Sequence, residues 1–361
     1  MSTVPIFVGL DYHQDSIQVC VLNQKGDVLL NRSAGNSSEE LGRLVGPLGA
    51  VQRVGIEACC GASDLGEELV ERFGWNVSLG HPAYIARIKS SPDKSDYSDG
   101  RLLADLTRVG YLPLVWLAPA AIRELRQLVN HRQRLVDQRR ALKLQVGAVL
   151  REQRVKIPRD RGSRWSKTWT ASVRDNAALS EQARWIVNDL LDEVVHYEKK
   201  VTAAEARLRA AARGDTVVKR LLEQEGIGEV TAWVMRAYIG RFDRFKTAKQ
   251  LSRYCGLSPC NASSGARTSD AGLIAGCNKL LRMTIVQAAH RLIRTSDRWG
   301  TFARGMKARG KKPCVIVGAV GNRWMRCLHH AMKPAGDANG SPGANDSSGA
   351  NNAAGESAGG K

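Results

Sequence analysis

The first hundred or so residues alternate short apolar runs with amphipathic ones. Ile6-Phe7-Val8-Gly9-Leu10 is a continuous apolar run, the pattern of a strand buried on both faces. Ile17, Val19 and Val21 alternate with polar partners, and Val28-Leu29-Leu30 follows the turn residues Lys25-Gly26-Asp27; these predict a second and a third strand. Val51 to Glu57 and Trp75 to Leu79 predict two more, with helical spacing between them at Leu65, Leu69 and Val70. Three strands in a meander followed by helix–strand alternation predict a mixed α/β sheet over residues 1–113.

From Pro119 the period changes. Leu125, Leu128, Leu135, Leu142, Val146 and Val149 fall on a 3-4 spacing, with Arg132 and Arg139 in the remaining seam positions. Val187, Leu190, Val194, Tyr197, Val201, Ala204 and Leu208 repeat it. This heptad seam predicts a helical coiled-coil region over 114–215, closed either as a hairpin on itself or across an oligomer; the spacing alone does not choose. Residues 216–333 predict a mainly helical third unit with a Gly/Ser-rich loop at its middle. Residues 334–361 are rich in Gly, Ala, Asn and Ser, too poor in apolar surface to order a core, and predict a disordered tail.

Charge changes the picture. The chain of 361 residues carries a formal net charge of +19 and a pI near 9.9, a field that attracts polyanions, so nucleic acid is the expected partner. No apolar run reaches the roughly 20 residues of a membrane span, and no secretory pattern opens the chain; a cytoplasmic, nucleoid-associated protein without membrane partners is expected. The eight cysteines lack any C-x-x-C spacing and read as reduced thiols rather than zinc ligands.

Four carboxylates then stand out. Asp11 ends the first predicted strand and Glu57 the fourth, both where a sheet gives way to a crevice. Asp96 and Asp99 lie three apart at the entrance of a predicted helix running through Leu102, Leu103 and Leu106, so they share a helix face. Clustered carboxylates repel unless cations are bound, which implies Mg²⁺ or Mn²⁺. Two such ions can activate an attacking oxygen and stabilise a leaving one in phosphoryl transfer. Singly, each acid is also explained as a strand-end or helix-capping charge.

The set Gly9-Leu10-Asp11, Gly55-Ile56-Glu57 and Lys94-Ser95-Asp96-Tyr97-Ser98-Asp99 resembles the DEDD transposases of bridge-RNA-guided insertion sequences, relatives of the pilin-gene inverting recombinases. Gln224-Glu225-Gly226-Ile227-Gly228 with Thr231-Ala232 is similar to the family's P-G-I-G-x-x-T-A motif, with Glu225 in place of proline. Phe245-Lys246-Thr247-Ala248-Lys249-Gln250-Leu251, Gly256-Leu257-Ser258-Pro259, Ser264-Gly265 and Gly276-Cys277-Asn278-Lys279-Leu280-Leu281-Arg282 follow in the family's order. The resemblance, over roughly residues 6 to 330, implies an RNase H-like (RuvC-like) domain joined by a coiled coil to a C-terminal transposase domain. It implies metal ligation by Asp11, Glu57, Asp96 and Asp99, and Ser264 as the nucleophile on a DNA phosphate. It also implies donor and target DNA as substrates and a structured noncoding guide RNA as partner. Serine and acids must then meet within one chain or across an oligomer, and a homo-oligomer (dimer or tetramer) is expected.

Other residues bear on nucleic acid. Gly226 and Gly228 before a helix match a phosphate-holding turn, or simply a tight turn. Lys279, Arg282, Arg291 and Arg294 recur near helical spacing, and Lys307, Arg309, Lys311 and Lys312 cluster further on; phosphate contact is the favoured reading. Trp165 and Trp169, among Arg159, Arg161, Arg164 and Lys167, suit stacking on unpaired bases or closing the helical hairpin. Ser264 alone sits in a plain turn composition, with Ser263 beside it. Two other classes compete: a structure-selective nuclease needing the acids but not Ser264, and a nucleic-acid-binding scaffold indifferent to metal.

Overall fold

The computed structural model describes residues 4–88, 95–156, 163–261 and 270–333. The chain divides into two compact units, with the division along the sequence after Ala120.

The first unit is a six-stranded mixed sheet. Its strands are β1 (Pro5–Tyr12), β2 (Ser16–Asn23), β3 (Val28–Gly35), β4 (Ala50–Glu57), β5 (Val77–Gly80) and β6 (Leu114–Val115), in the order β3-β2-β1-β4-β5-β6. β1, β2 and β3 form an antiparallel meander; β4 runs parallel to β1, and β5 parallel to β4. β6 closes the far edge antiparallel to β5. The helices between are α1 (Ser38–Val45), α2 (Ala62–Phe73), α3 (Pro82–Ile88) and α4 (Asp96–Arg108).

One face of the sheet presents Val8, Leu10, Val54 and Ile56, which pack with Leu41 and Val45 of α1 and Leu65 and Leu69 of α2. The opposite face is covered by α4, and this corrects the reading of β2. Its alternation predicts one polar face, yet Gln18, Cys20 and Leu22 are buried as well as Ile17, Val19 and Val21, because Ala104 of α4 lies on Cys20 and Leu22. The fifth strand starts at Val77 rather than Trp75: α2 ends in a left-handed Gly74, and Trp75 is taken up by a ring contact with Phe73.

The second unit is mostly helical: α5 (Ala120–Glu152), α6 (Lys167–Arg174), α7 (Glu181–Ala212), α8 (Thr216–Leu222), α9 (Glu229–Ile239), α10 (Ala248–Tyr254), the short pair β7 (Pro259–Asn261) and β8 (Asp270–Leu273), then α11 (Lys279–Thr295), α12 (Asp297–Ala308) and α13 (Pro313–Met332). The two long helices, α5 and α7, pair antiparallel, as shown by Arg132 with Glu205 and Lys143 with Glu198. Of the predicted seam, Leu125, Leu135, Val146, Val187, Val194, Val201 and Leu208 are buried. At one end of the hairpin, Val146, Leu150, Val187 and Leu191 enclose Trp169 and Val173 of α6. At the other, Leu125, Val129, Leu208 and Ala212 join the core built by Trp233, Met235, Leu281 and Trp324.

Candidate metal centre

Asp11 is the last residue but one of β1, still paired with Gln18 of β2, and Glu57 is the last residue of β4, paired with Gly80 of β5. Leu10 pairs with Ile56, so the two acids stand one step beyond the last paired rung of adjacent parallel strands. Each is two residues after a glycine, Gly9 and Gly55, which also pair; the two-residue period of a strand puts glycine and acid on the same face. That face carries α4. A Cβ on Gly9 would collide with the backbone of Ala104 and Gly100, and one on Gly55 with the Thr107 hydroxyl. Small residues on strand and helix allow the close approach, and it brings the first turn of α4 over the strand ends.

Asp96 and Asp99 occupy that first turn. Ser95 caps it, accepting the Ser98 N–H at 3.2 Å, and acids in a first turn are favoured by the helix dipole. The turn is also tied to the sheet. Gln18 donates to Asn31 Oδ1 at 2.7 Å, and the Asn31 amide donates to the Tyr97 carbonyl at 3.0 Å.

The four acids line one cavity of about 400 Å³, together with His13 and Cys59. His13 Nε2 is 3.5 Å from Asp11 Oδ2 and 3.7 Å from Asp96 Oδ1. One ligand atom from each of Asp11, His13 and Asp96 falls within 4.8 Å of the others, close enough for a single ion to be shared. Burial, opposed by His13 but reinforced by Asp99 and Asp96, pushes the Asp11 carboxyl above its ordinary value. An oxygen-rich set in which one carboxylate is costly to ionise fits a hard divalent cation, which would relieve that cost. Burial likewise raises the Cys59 thiol, keeping it protonated and a poor nucleophile.

His13 escapes the sequence reading. It lies beyond the end of β1 in the β1–β2 turn, whose carbonyls at His13 and Gln14 accept from the Asn36 amide. The available signal is its place two residues after Asp11.

The other candidates lie elsewhere. Ser264, with its neighbour Ser263, falls outside the described residues, as do Arg159, Arg161, Lys94 and the tail from 334. Gly226 takes a left-handed conformation against Leu292, and Gly228 caps α9. The positive end of α9 already carries Glu229, ion-paired to Arg209 at 2.8 Å. Arg282 is half-buried and donates to the Ile274 carbonyl, while Lys279 and Arg291 are exposed on α11. Trp169 is buried in the hairpin core; Trp165 packs beside it at 4.8 Å, with Lys143 Nζ 5.0 Å from its ring centroid. Among the described residues, no helix is long and apolar enough to cross a membrane.

Comparison with known proteins gives these residues a setting. The DEDD transposase family of IS110 elements matches residues 8–154, and the family described as Transposase IS116/IS110/IS902 matches residues 218–304. The transposase for insertion sequence element IS1111A of Coxiella burnetii is 24% identical over 80% of this chain and 78% of its own length. A probable family 20 transposase of Pseudomonas aeruginosa is 26% identical over 76% of this chain and 82% of its own. The transposase for IS1328 of Yersinia enterocolitica is 23% identical over 88% and 94%. With both family regions in order and the acids of the first gathered at one cavity, the chain belongs to the IS110 family of insertion-sequence transposases, enzymes that cut and rejoin DNA.

Proposed function

We propose that this transposase is a site-specific recombinase that works through a divalent-metal carboxylate centre and a serine nucleophile, guided by a structured noncoding RNA. The observation that carries the reading is the convergence of Asp11, Glu57, Asp96 and Asp99, from two strands and a helix, on one cavity. An RNase H-like (RuvC-like) identity for residues 1–113 is supported by the strand order, an antiparallel meander continued by parallel strands.

In this reading the four acids hold Mg²⁺ or Mn²⁺, two ions in all. When bound, such ions activate the attacking oxygen and stabilise the leaving one. Ser264 is the attacking group, on the strength of its S-G motif. Its hydroxyl gives up a proton as Oγ bonds to the scissile phosphorus, and the displaced deoxyribose oxygen takes a proton and leaves as a hydroxyl. Return attack by a deoxyribose hydroxyl breaks the serine ester and reseals the strand. Residues 216–333 thus supply the serine, 1–113 the metal, and 114–215 the helical connection, with 334–361 appended. The serine and the acids must act on one phosphate, within one chain or across a homo-oligomer (dimer or tetramer). The guide RNA pairs with donor and target DNA and selects the site.

The test is plasmid recombination in cells with the complete element and its flanking noncoding DNA. Joined product is expected from the parent and from neither Asp11→Ala nor Ser264→Ala. Product surviving Ser264→Ala would overturn Ser264 as the nucleophile, in favour of Ser263 or of purely metal-dependent cleavage.

A further inference from the structure

The basic excess of this chain is concentrated at one end. Residues 279–333, spanning α11 to α13, contain thirteen Lys and Arg against a single acid, Asp297. Within this segment α12 and α13 form an open cavity of about 340 Å³, lined by Arg298, Trp299, Phe302, Arg323, Arg326, Cys327 and His330. No acid lines it, and among the described residues none of its three arginines has a carboxylate partner. Two of the guanidiniums are backed by aromatic rings, Arg298 at 4.8 Å from Trp299 and Arg323 at 4.3 Å from Phe302. Arg298 is further held by a hydrogen bond to Cys327 Sγ at 3.4 Å. Trp299 itself is buried, so the ring beneath Arg298 is fixed by the core.

We propose that this cavity receives one unpaired nucleotide of a nucleic-acid strand. Its volume suits a ligand of that size. The ring-backed guanidiniums of Arg298 and Arg323 offer prearranged planes for a base to stack on. Arg326 and His330 stand at the same cavity to meet the adjoining phosphate, Arg326 by charge-assisted hydrogen bonds. The chemistry is that of a nucleotide, which a displaced DNA strand and an RNA both supply. The inference does not depend on the metal centre or on Ser264.

The experiment measures binding of fluorescent hexanucleotides to the full chain by anisotropy. One probe has six adenines, and the other has the same phosphates but abasic sugars, so bulk electrostatics cancels between them. The parent is expected to favour the adenine probe about tenfold, the value of stacking one base. Arg298→Ala with Arg323→Ala should abolish that preference. Lys311→Ala with Lys312→Ala, removing the same charge outside the cavity, should weaken both probes and keep it. A parent with no preference, a preference surviving the arginine substitutions, or one lost equally in the lysine control would each overturn the site. Deoxy and ribo versions identify the strand: tighter deoxy binding assigns DNA, tighter ribo binding assigns RNA through its 2′-hydroxyl, and equal binding assigns a site blind to the sugar. Because the arginine substitutions uncover aromatic rings and can weaken the fold, a second measurement uses the parent alone. The adenine probe should slow maleimide modification of Cys327, read by peptide mass spectrometry, more than the abasic probe does; equal rates would also overturn the site.

Discussion

Gly9 of β1 lies directly beneath Ala104 of α4, so close that a Cβ on the glycine would strike the helix backbone. Because Asp96 and Asp99 ride on the first turn of that helix, this contact sets how near they come to Asp11. Gly9→Ala is therefore expected to push α4 off the sheet, at an overpacking cost of about 3 kcal/mol, and to abolish divalent-metal binding together with recombination. Gly55→Ala meets a side-chain oxygen on Thr107 instead of backbone. Adding Thr107→Ala should restore part of the stability lost at position 55 and none of that lost at position 9. Urea unfolding of the four variants checks this; equal rescue at both sites would show that the helix shifts freely.

Asp11 gives the metal reading a thermodynamic signature. Its carboxyl binds a proton more tightly in the folded state than in the unfolded chain. Stability therefore falls as pH rises between the unfolded value, 3.8, and the raised folded one, and the penalty persists above it. In EDTA at neutral pH, Asp11→Asn should melt at a higher temperature than the parent. With Mg²⁺ or Mn²⁺ the order should reverse. The parent gains about 2.7 kcal/mol at a metal concentration a hundred times its dissociation constant, and the variant gains far less. Calorimetry with and without metal checks both signs, and a variant that is less stable in EDTA would argue against a carboxylate whose ionisation is opposed by partial burial.

Much of this centre is legible in the sequence, for a physical reason. Acids that end apolar strands or open helices are placed by the backbone period alone, so Asp11, Glu57, Asp96 and Asp99 can be assigned to element ends without knowing the fold. What the period cannot convey is the second face of the sheet. Alternation in β2 reads as one polar side, whereas α4 comes from about 80 residues away to bury Gln18 and Cys20. The link from Gln18 through Asn31 to Tyr97, and His13 swinging back over Asp11, arise from turns and crossovers that leave no periodic trace. Trp165 and Trp169 show the converse limit. A tryptophan among arginines has one composition whether it meets a base or a neighbouring helix, and here Trp169 packs into the hairpin.

That packing is itself testable. Removing a buried tryptophan side chain costs about 3–5 kcal/mol, so Trp169→Ala should loosen the end of the hairpin where α5, α6 and α7 meet. Hydrogen exchange is expected to quicken around Val146 to Leu150 and Ala183 to Leu191, the segments that enclose it, and to remain slow in the strands of the first unit. Trp165→Ala, at a half-buried position, should do less. Comparable effects of the two would mean that Trp165 carries more of the packing than its exposure suggests.

His329 predicts an acid-labile helical unit. Its side chain is buried in α13, with Nε2 2.9 Å from the Phe245 carbonyl, where Nε2–H donates. Burial, aided by Lys333 and His330, holds its pKa below the ordinary 6.5 despite the opposing hydrogen bond to Phe245. The unfolded chain therefore binds a proton that the folded state refuses, and stability falls as pH drops below 6.5 toward the folded value. His329→Gln keeps a donor for the Phe245 carbonyl but cannot titrate. Chemical denaturation at pH 7.5 and 5.5 should show the parent losing stability on acidification and the variant losing less. Identical losses would place the acid sensitivity in other groups, and a variant far weaker at pH 7.5 would mean that the imidazole's shape, rather than its proton, is what α13 requires.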